Sequence, residues 1–384
     1  MCGGSFSWCH KEFKKCSTAF LGGGSHLIPS GKLPRDVVEY LQKANDSKGA
    51  FSMGAYISTF PTGFAGLIPT ALQKLLPGAQ VVQVYDGLVH YRYGGKPGDL
   101  GKVFLFHNTF LVLREFQGPA SQMDSMVRSA AGIKSLPPSR GSFRVRYSVK
   151  NQFVAVPKER TRQLEGKIAA LTHAKVDRVS PDTEYWFLQR SEGVGFFCRL
   201  LGRRQATERD LHPGELRPEL AYLMASLAKL GRDSVVLDPF AGYGAIPKQV
   251  LGYFPYAMVL VSDLDRDRAV DLRASLGGKR GVSVAQRDAL TLEGIPGATV
   301  DAIITDPPWG YYEEIEDIQV FYRGMFASFR RVLKPRGQVV LLSARKREAE
   351  AAAQEMGFPL RQRYDTLVNG KKAAVYLLEV GPAL

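Results

Sequence analysis

The chain has 384 residues, 45% of them hydrophobic and 23% charged, with 39 Gly and 22 Pro. This composition excludes a disordered polar chain and a collagen-like repeat, and the length suits two or three domains that each bury a core without a metal or disulfide staple. The formal charge of +14 is polarised: residues 1–200 hold 26 Lys or Arg against 14 Asp or Glu, and residues 201–384 hold 25 against 23, giving +12 and +2.

Such a distribution implies that the N-terminal half meets a polyanion while the C-terminal half does other work. No run of about 18 apolar residues is present and the first residues lack a secretory pattern, so no membrane span is expected and the expected location is cytoplasmic. Residues 1–50 read as a flexible tail, punctuated by Gly3, Gly4, Gly22, Gly23, Gly24, Pro29, Gly31 and Pro34. Within it Cys2, Cys9 and Cys16 repeat every seven residues, and Cys198 stands alone. That spacing is neither a disulfide framework nor the paired ligands of a zinc site, so no metal is expected.

Residues 51–120 are expected to form a ferredoxin-like α+β domain. Its elements are a strand near Tyr56, a helix over 67–76, strands over 81–85 and 88–93 joined through Asp86-Gly87, and a strand over 103–113. Residues 121–204 form a second small α+β unit. Its strand Phe143-Arg144-Val145-Arg146-Tyr147-Ser148-Val149 alternates apolar and basic residues, which predicts one face on a core and Arg144 and Arg146 toward solvent. Arg128, Lys134, Arg140, Arg144, Arg146 and Lys150 make a basic stripe around it, continuing to Lys167. Nucleic-acid affinity arises from such a stripe by neutralising phosphates, without sequence preference.

From residue 205 short apolar strands (235–237, 257–261, 282–285, 302–304, 339–342, 374–380) alternate with helices (245–253, 266–276, 320–333, 345–356). The pattern predicts a doubly wound α/β domain with a parallel sheet, whose ligands sit at the carboxyl ends of the strands. The first strand runs into Asp238-Pro239-Phe240-Ala241-Gly242-Tyr243-Gly244, a turn whose glycines let a ligand approach the backbone. Pro247 stands where a dinucleotide fingerprint wants a third small residue, which disfavours a pyrophosphate. Asp263 and Asp288 close the next two strands, and with Asp238 they describe an adenosine site without phosphates; Asp265 reads instead as a helix cap. The next strand delivers Asp306-Pro307-Pro308-Trp309. Its carboxylate and free carbonyls accept hydrogen bonds while the indole offers a stacking face, a combination suited to a planar heterocycle with an exocyclic NH2.

Asp-Pro-Phe-Ala-Gly-x-Gly followed by Asp-Pro-Pro-Trp resembles motifs I and IV of the S-adenosylmethionine-dependent amino methyltransferases. The Phe143 to Arg146 strand, Val176-Asp177-Arg178 with Pro181-Asp182 and Glu184, Gly202-Arg203-Arg204, and Glu215-Leu216-Arg217-Pro218-Glu219-Leu220-Ala221 are similar to a THUMP domain joined to its Rossmann-like catalytic domain. The likeness covers most of residues 51–384 and points to the THUMP-containing tRNA guanosine-N2 methyltransferases, from many of which the chain departs in having Tyr243 in place of Ser.

The resemblance implies transfer of a methyl group from S-adenosylmethionine to N2 of a tRNA guanosine, in the acceptor stem at position 6. Asp306, Pro307, Pro308 and Trp309 would be catalytic. Asp238, Phe240, Ala241, Gly242, Gly244, Asp263, Asp288 and Pro218 would hold the cofactor, and the stripe from Arg128 to Lys150 would hold tRNA. Some relatives need a small activator protein. Two other readings share these residues: an adenine-N6 methyltransferase on rRNA or DNA, and a noncatalytic RNA-binding protein with a relict methyltransferase fold.

Overall fold

The computed structural model describes residues 53–101, 103–139, 141–203, 211–212, 214–310 and 315–381. The expected tail, with Cys2, Cys9 and Cys16, and Arg140 lie outside them. In chain order the first elements are β1 (Gly54–Thr59), α1 (Ile68–Leu75), β2 (Gln80–Tyr85), β3 (Leu88–Tyr93), β4 (Asn108–Gln117), α2 (Met123–Ala131), β5 (Ser142–Val149), β6 (Gln152–Phe153), α3 (Lys158–Thr172), β7 (Lys175–Val176), β8 (Thr183–Gln189) and β9 (Val194–Arg203). They are followed by α4 (Pro218–Leu227), β10 (Val235–Asp238), α5 (Ala245–Tyr253), β11 (Met258–Asp263), α6 (Arg266–Leu276), β12 (Val282–Gln286), β13 (Val300–Thr305), α7 (Ile318–Val332), β14 (Leu333–Ser343), α8 (Lys346–Glu355), β15 (Leu360–Val368) and β16 (Lys371–Glu379). The strand expected from 103 begins at Asn108, because the apolar residues before it are spent on a buried turn closed by Phe106 N–H donating to the Val103 carbonyl.

Two compact units are present. One takes in Tyr91–Lys102 and Asn108–Arg203 with the first described residues up to Ile57; the other takes in Ser58–His90, Val103–His107 and the chain from 204 onward. In the first, strands run in the order β4-β9-β8-β5-β6, with β7 beside β5. β5 and β8 are parallel, and the β4/β9, β8/β9 and β5/β6 pairs are antiparallel. Phe143, Tyr147, Tyr185, Phe187 and Phe197 pack with Met126 and Val127 of α2 and Leu164 and Ile168 of α3. Period-two alternation therefore turns Arg144 and Arg146 to the opposite face.

The second unit holds a seven-stranded sheet in the order β12-β11-β10-β13-β14-β16-β15. The first five of these strands are mutually parallel, and β16 runs antiparallel to both β14 and β15. The expected all-parallel sheet is thus mixed, because the chain returns as a hairpin at Asn369-Gly370, whose φ values of 50° and 78° suit a tight two-residue turn. β10 lies at the centre, and burying Val236 and Leu237 contributes roughly 1.5–3 kcal/mol each. The segment Ser58–His90 is fastened to this unit at two points: Lys74 Nζ donates to the Tyr253 carbonyl at 2.8 Å, and the Phe64 and Tyr364 rings stack 5.4 Å apart. Among the described residues no helix is long and apolar enough to cross a membrane.

Candidate active site

The strand order of the second unit diverges in two directions from the gap between β10 and β13, and in an open α/β sheet that gap is where ligands bind. β10 ends there in Asp238, and Asp306 follows β13. Asp238 is only 2% exposed, and its Oδ1 accepts from Thr305 Oγ1 at 2.8 Å and from Phe240 N–H at 3.3 Å. It braces the loop from beneath. Burial pushes its pKa up to about 7, with the Asp263 charge adding to the rise and the hydrogen bonds opposing it. Phe240 packs toward Phe321 of α7, and Ala241 is buried, its N–H donating to the Ser262 carbonyl at 3.0 Å.

Gly242 and Gly244 have φ of 52° and 79°, left-handed values that glycine adopts without strain. A β-carbon at Gly242 would meet no atom within 4 Å, so this face of the loop is open to a ligand. Asp263 ties the loop to β11: its Oδ2 accepts from Gly242 N–H at 2.8 Å and its Oδ1 from Asp265 N–H at 3.0 Å. Asp265 caps α6 by accepting from the Asp267 and Arg268 amides at 2.8 and 3.2 Å. Asp288 follows β12 and accepts from Leu290 N–H at 2.8 Å. Pro218 occupies the first turn of α4, which has no side-chain cap, and the buried Glu219 beside it lies 2.9 Å from His107 Nε2.

Asp306 follows β13 directly, and its Oδ1 is buried without a hydrogen-bond partner. Burial pushes its pKa up to about 8; the neighbouring Asp238 charge adds to the rise and the Trp309 side chain lowers it. The two prolines cannot donate, so the backbone at this point presents acceptors only. The loop is held from behind, where Arg345 Nε donates to the Trp309 carbonyl at 2.7 Å. Ser343, the last residue of β14, accepts from Arg345 N–H at 2.9 Å, and its Oγ lies 2.7 Å from the Tyr322 hydroxyl. Sequence reasoning missed Thr305, Tyr322, Ser343 and Arg345, although Ser343 sits at a strand's carboxyl end, where a polar residue is itself a signal.

Carboxylates at successive strand ends and an open glycine loop fit S-adenosylmethionine, whose ribose diol and adenine amine need acceptors and which carries no phosphate. The Asp306 acceptor stands apart from that set, on the next strand.

The basic stripe divides. Lys134 and Lys150 are exposed, and Arg128 is exposed while pairing with Asp124 at 3.2 Å. Arg144 and Arg146 correct the expectation of a solvent-facing pair: Arg144 is 14% exposed with Nη2 2.6 Å from Glu184 Oε1, and Arg146 Nε lies 3.5 Å from Glu184 Oε2. Arg146 also covers the Phe153 and Trp186 rings at 5.0 and 5.6 Å. Parallel pairing sets Arg144 opposite Glu184 and Arg146 opposite Trp186, so both guanidiniums are engaged within the sheet face.

Residues 204–248 and 267–375 match the model of the RMKL-like methyltransferase domain family, UPF0020. Among curated proteins the chain is similar to the U6 snRNA (guanine-N(2))-methyltransferase THUMPD2 of Bos taurus, at 33% identity over 33% of this chain and 25% of the relative. It is also similar to the tRNA (guanine(6)-N(2))-methyltransferase THUMP3 of Mus musculus, at 30% identity over 45% of this chain and 39% of the relative. The chain thus spans well under half the length of these two relatives. Among solved structures TrmN from Thermus thermophilus shares the fold, with a TM-score of 0.70, 24% identity, and coverage of 86% of this chain and 100% of that one. The C-terminal part of the chain thus matches a methyltransferase domain model, and the chain shares the fold of TrmN.

Proposed function

We propose that the chain is an S-adenosylmethionine-dependent RNA methyltransferase that acts on tRNA, converting a guanosine of the acceptor stem, at position 6, to N2-methylguanosine. Residues 121–204 serve as its THUMP-type RNA-binding module, and residues 51–120 as a ferredoxin-like partner to it. A small activator protein is the partner to add if donor binds without transfer. Asp306 carries the reading: a carboxylate oxygen buried with no partner, set among acceptor-only backbone, awaits an N–H donor. Relatives whose names specify guanine N2 support the choice of atom.

When bound, S-adenosylmethionine supplies an electrophilic methyl group on a sulfonium. The lone pair of a guanine amine is delocalised into the ring and attacks poorly. Asp306 and the Pro307 carbonyl would each accept one of its N–H groups, drawing the nitrogen toward tetrahedral geometry, while Trp309 stacks on the extruded base. Once methylated, the nitrogen would be cationic; the Asp306 carboxylate would compensate that charge and accept the departing proton.

Asp306→Ala should cut transfer to unmodified tRNA by at least about a hundredfold while S-adenosylhomocysteine binding, read by calorimetry, is kept. Turnover within a few-fold of the parent would remove Asp306 from the mechanism.

A further inference from the structure

The glycine loop carries an aromatic residue between its two glycines, and both faces of that ring are occupied. His212 lies parallel to Tyr243, ring centroids 4.1 Å apart and planes 6° apart. The Arg268 guanidinium stands 3.7 Å from the same centroid. Two groups so close to one centroid cannot share a face, so the ring is sandwiched between them. Each comes from a different wall of the site. His212 precedes α4, its N–H donating to Glu215 Oε2 at 3.1 Å and its carbonyl accepting from Glu215 N–H at 2.9 Å. Arg268 lies in the first turn of α6, which Asp265 caps just beyond Asp263. From α5, Lys248 Nζ donates to the Tyr243 carbonyl at 2.8 Å. A groove of about 500 Å³ opens between these residues, alongside Gly242.

We propose that Tyr243 is a positioning residue: it clamps the segment before α4 and the start of α6 onto the Gly242–Gly244 loop, and so sets the affinity for the methyl donor without touching the reacting groups. The inference rests on the donor assignment above. Two glycines give the loop little stiffness of its own, and a loop that must be ordered at each binding event loses affinity. Stacking and cation–π contact restrict it in advance. Loss of the ring should therefore appear in donor affinity and spare the chemical step.

The test is calorimetry of S-adenosylhomocysteine with the full chain, beside steady-state kinetics on tRNA. Tyr243→Ser is expected to raise Kd and the donor KM about tenfold with kcat nearly kept and Tm close to the parent's. Tyr243→Phe, which keeps the ring, should restore most of the affinity. His212→Ala and Arg268→Ala, each removing one face, should each weaken binding by part of that amount, and they serve if Tyr243→Ser does not fold. Unchanged donor affinity in Tyr243→Ser, or in both single-face variants, would overturn the clamp. A parent protein that binds no donor at all would overturn the donor assignment itself, and the clamp with it.

Discussion

In the proposed mechanism Asp306 acts as an anion, and its surroundings oppose that form. Its pKa is pushed up from 3.8 to about 8, chiefly by burial, so in the free protein it holds a proton through much of the neutral range. The kcat/KM for the methyl donor should rise with pH and level off above about 8. A bound sulfonium favours the anion, so kcat should reach its plateau at lower pH than kcat/KM. Coincident profiles, or activity falling over this range, would contradict the assignment. The same shift has a consequence for stability. The folded chain holds this proton more tightly than the unfolded chain, so the contribution is fully present below the unfolded value of 3.8 and is lost as pH rises through about 8. Asp306→Asn should therefore melt higher than the parent at pH 9 and be nearly inactive, with the gap narrowing as pH falls and closing only below about 4. Much of this residue-scale picture was legible, since strand ends and turn residues single out Asp306, Gly242 and Gly244. Asp238 was placed at the right strand end and given a more exposed role than it has. Its burial follows from Thr305, a partner 67 positions away whose contact only the fold creates.

The helices and strands that form the site were readable because each combines a short apolar run with its own turn chemistry. The helix at Ala245–Tyr253 and the one at Arg266–Leu276 lie where the pattern placed them. The cap of the second is testable: Asp265→Ala should cost about 1 kcal/mol in urea unfolding, because two first-turn amides lose their acceptor. No change in midpoint would refute the cap. β15 was missed for a physical reason. It is an edge strand paired on one side, so most of Leu360–Val368 is exposed and no apolar run marks it. The Asn369-Gly370 turn was the signal that could have revealed it. The Arg144 and Arg146 expectation failed in another way. Alternation gave the face correctly, but the partner Glu184 stands 40 residues on, in a strand whose parallel register cannot be read locally.

At the scale of the molecule, the charge asymmetry supports the proposed RNA partner, and Lys134 and Lys150 are more exposed than the paired Arg144. Lys134→Glu with Lys150→Glu should weaken binding to all tRNAs alike and lower the slope of log K against log salt by roughly 0.7–0.9 for each phosphate no longer neutralised. Arg144→Glu should instead lower Tm, since it sets a second carboxylate against Glu184. The reverse pattern would move the RNA-binding surface back to β5. The most direct measurement is incubation of the purified chain with methyl-labelled S-adenosylmethionine and unmodified tRNA, followed by nucleoside mass spectrometry and mapping of the label. Label in N2-methylguanosine at position 6 is the predicted result. Label in N6-methyladenosine, or none in tRNA with donor bound and an activator supplied, would contradict it.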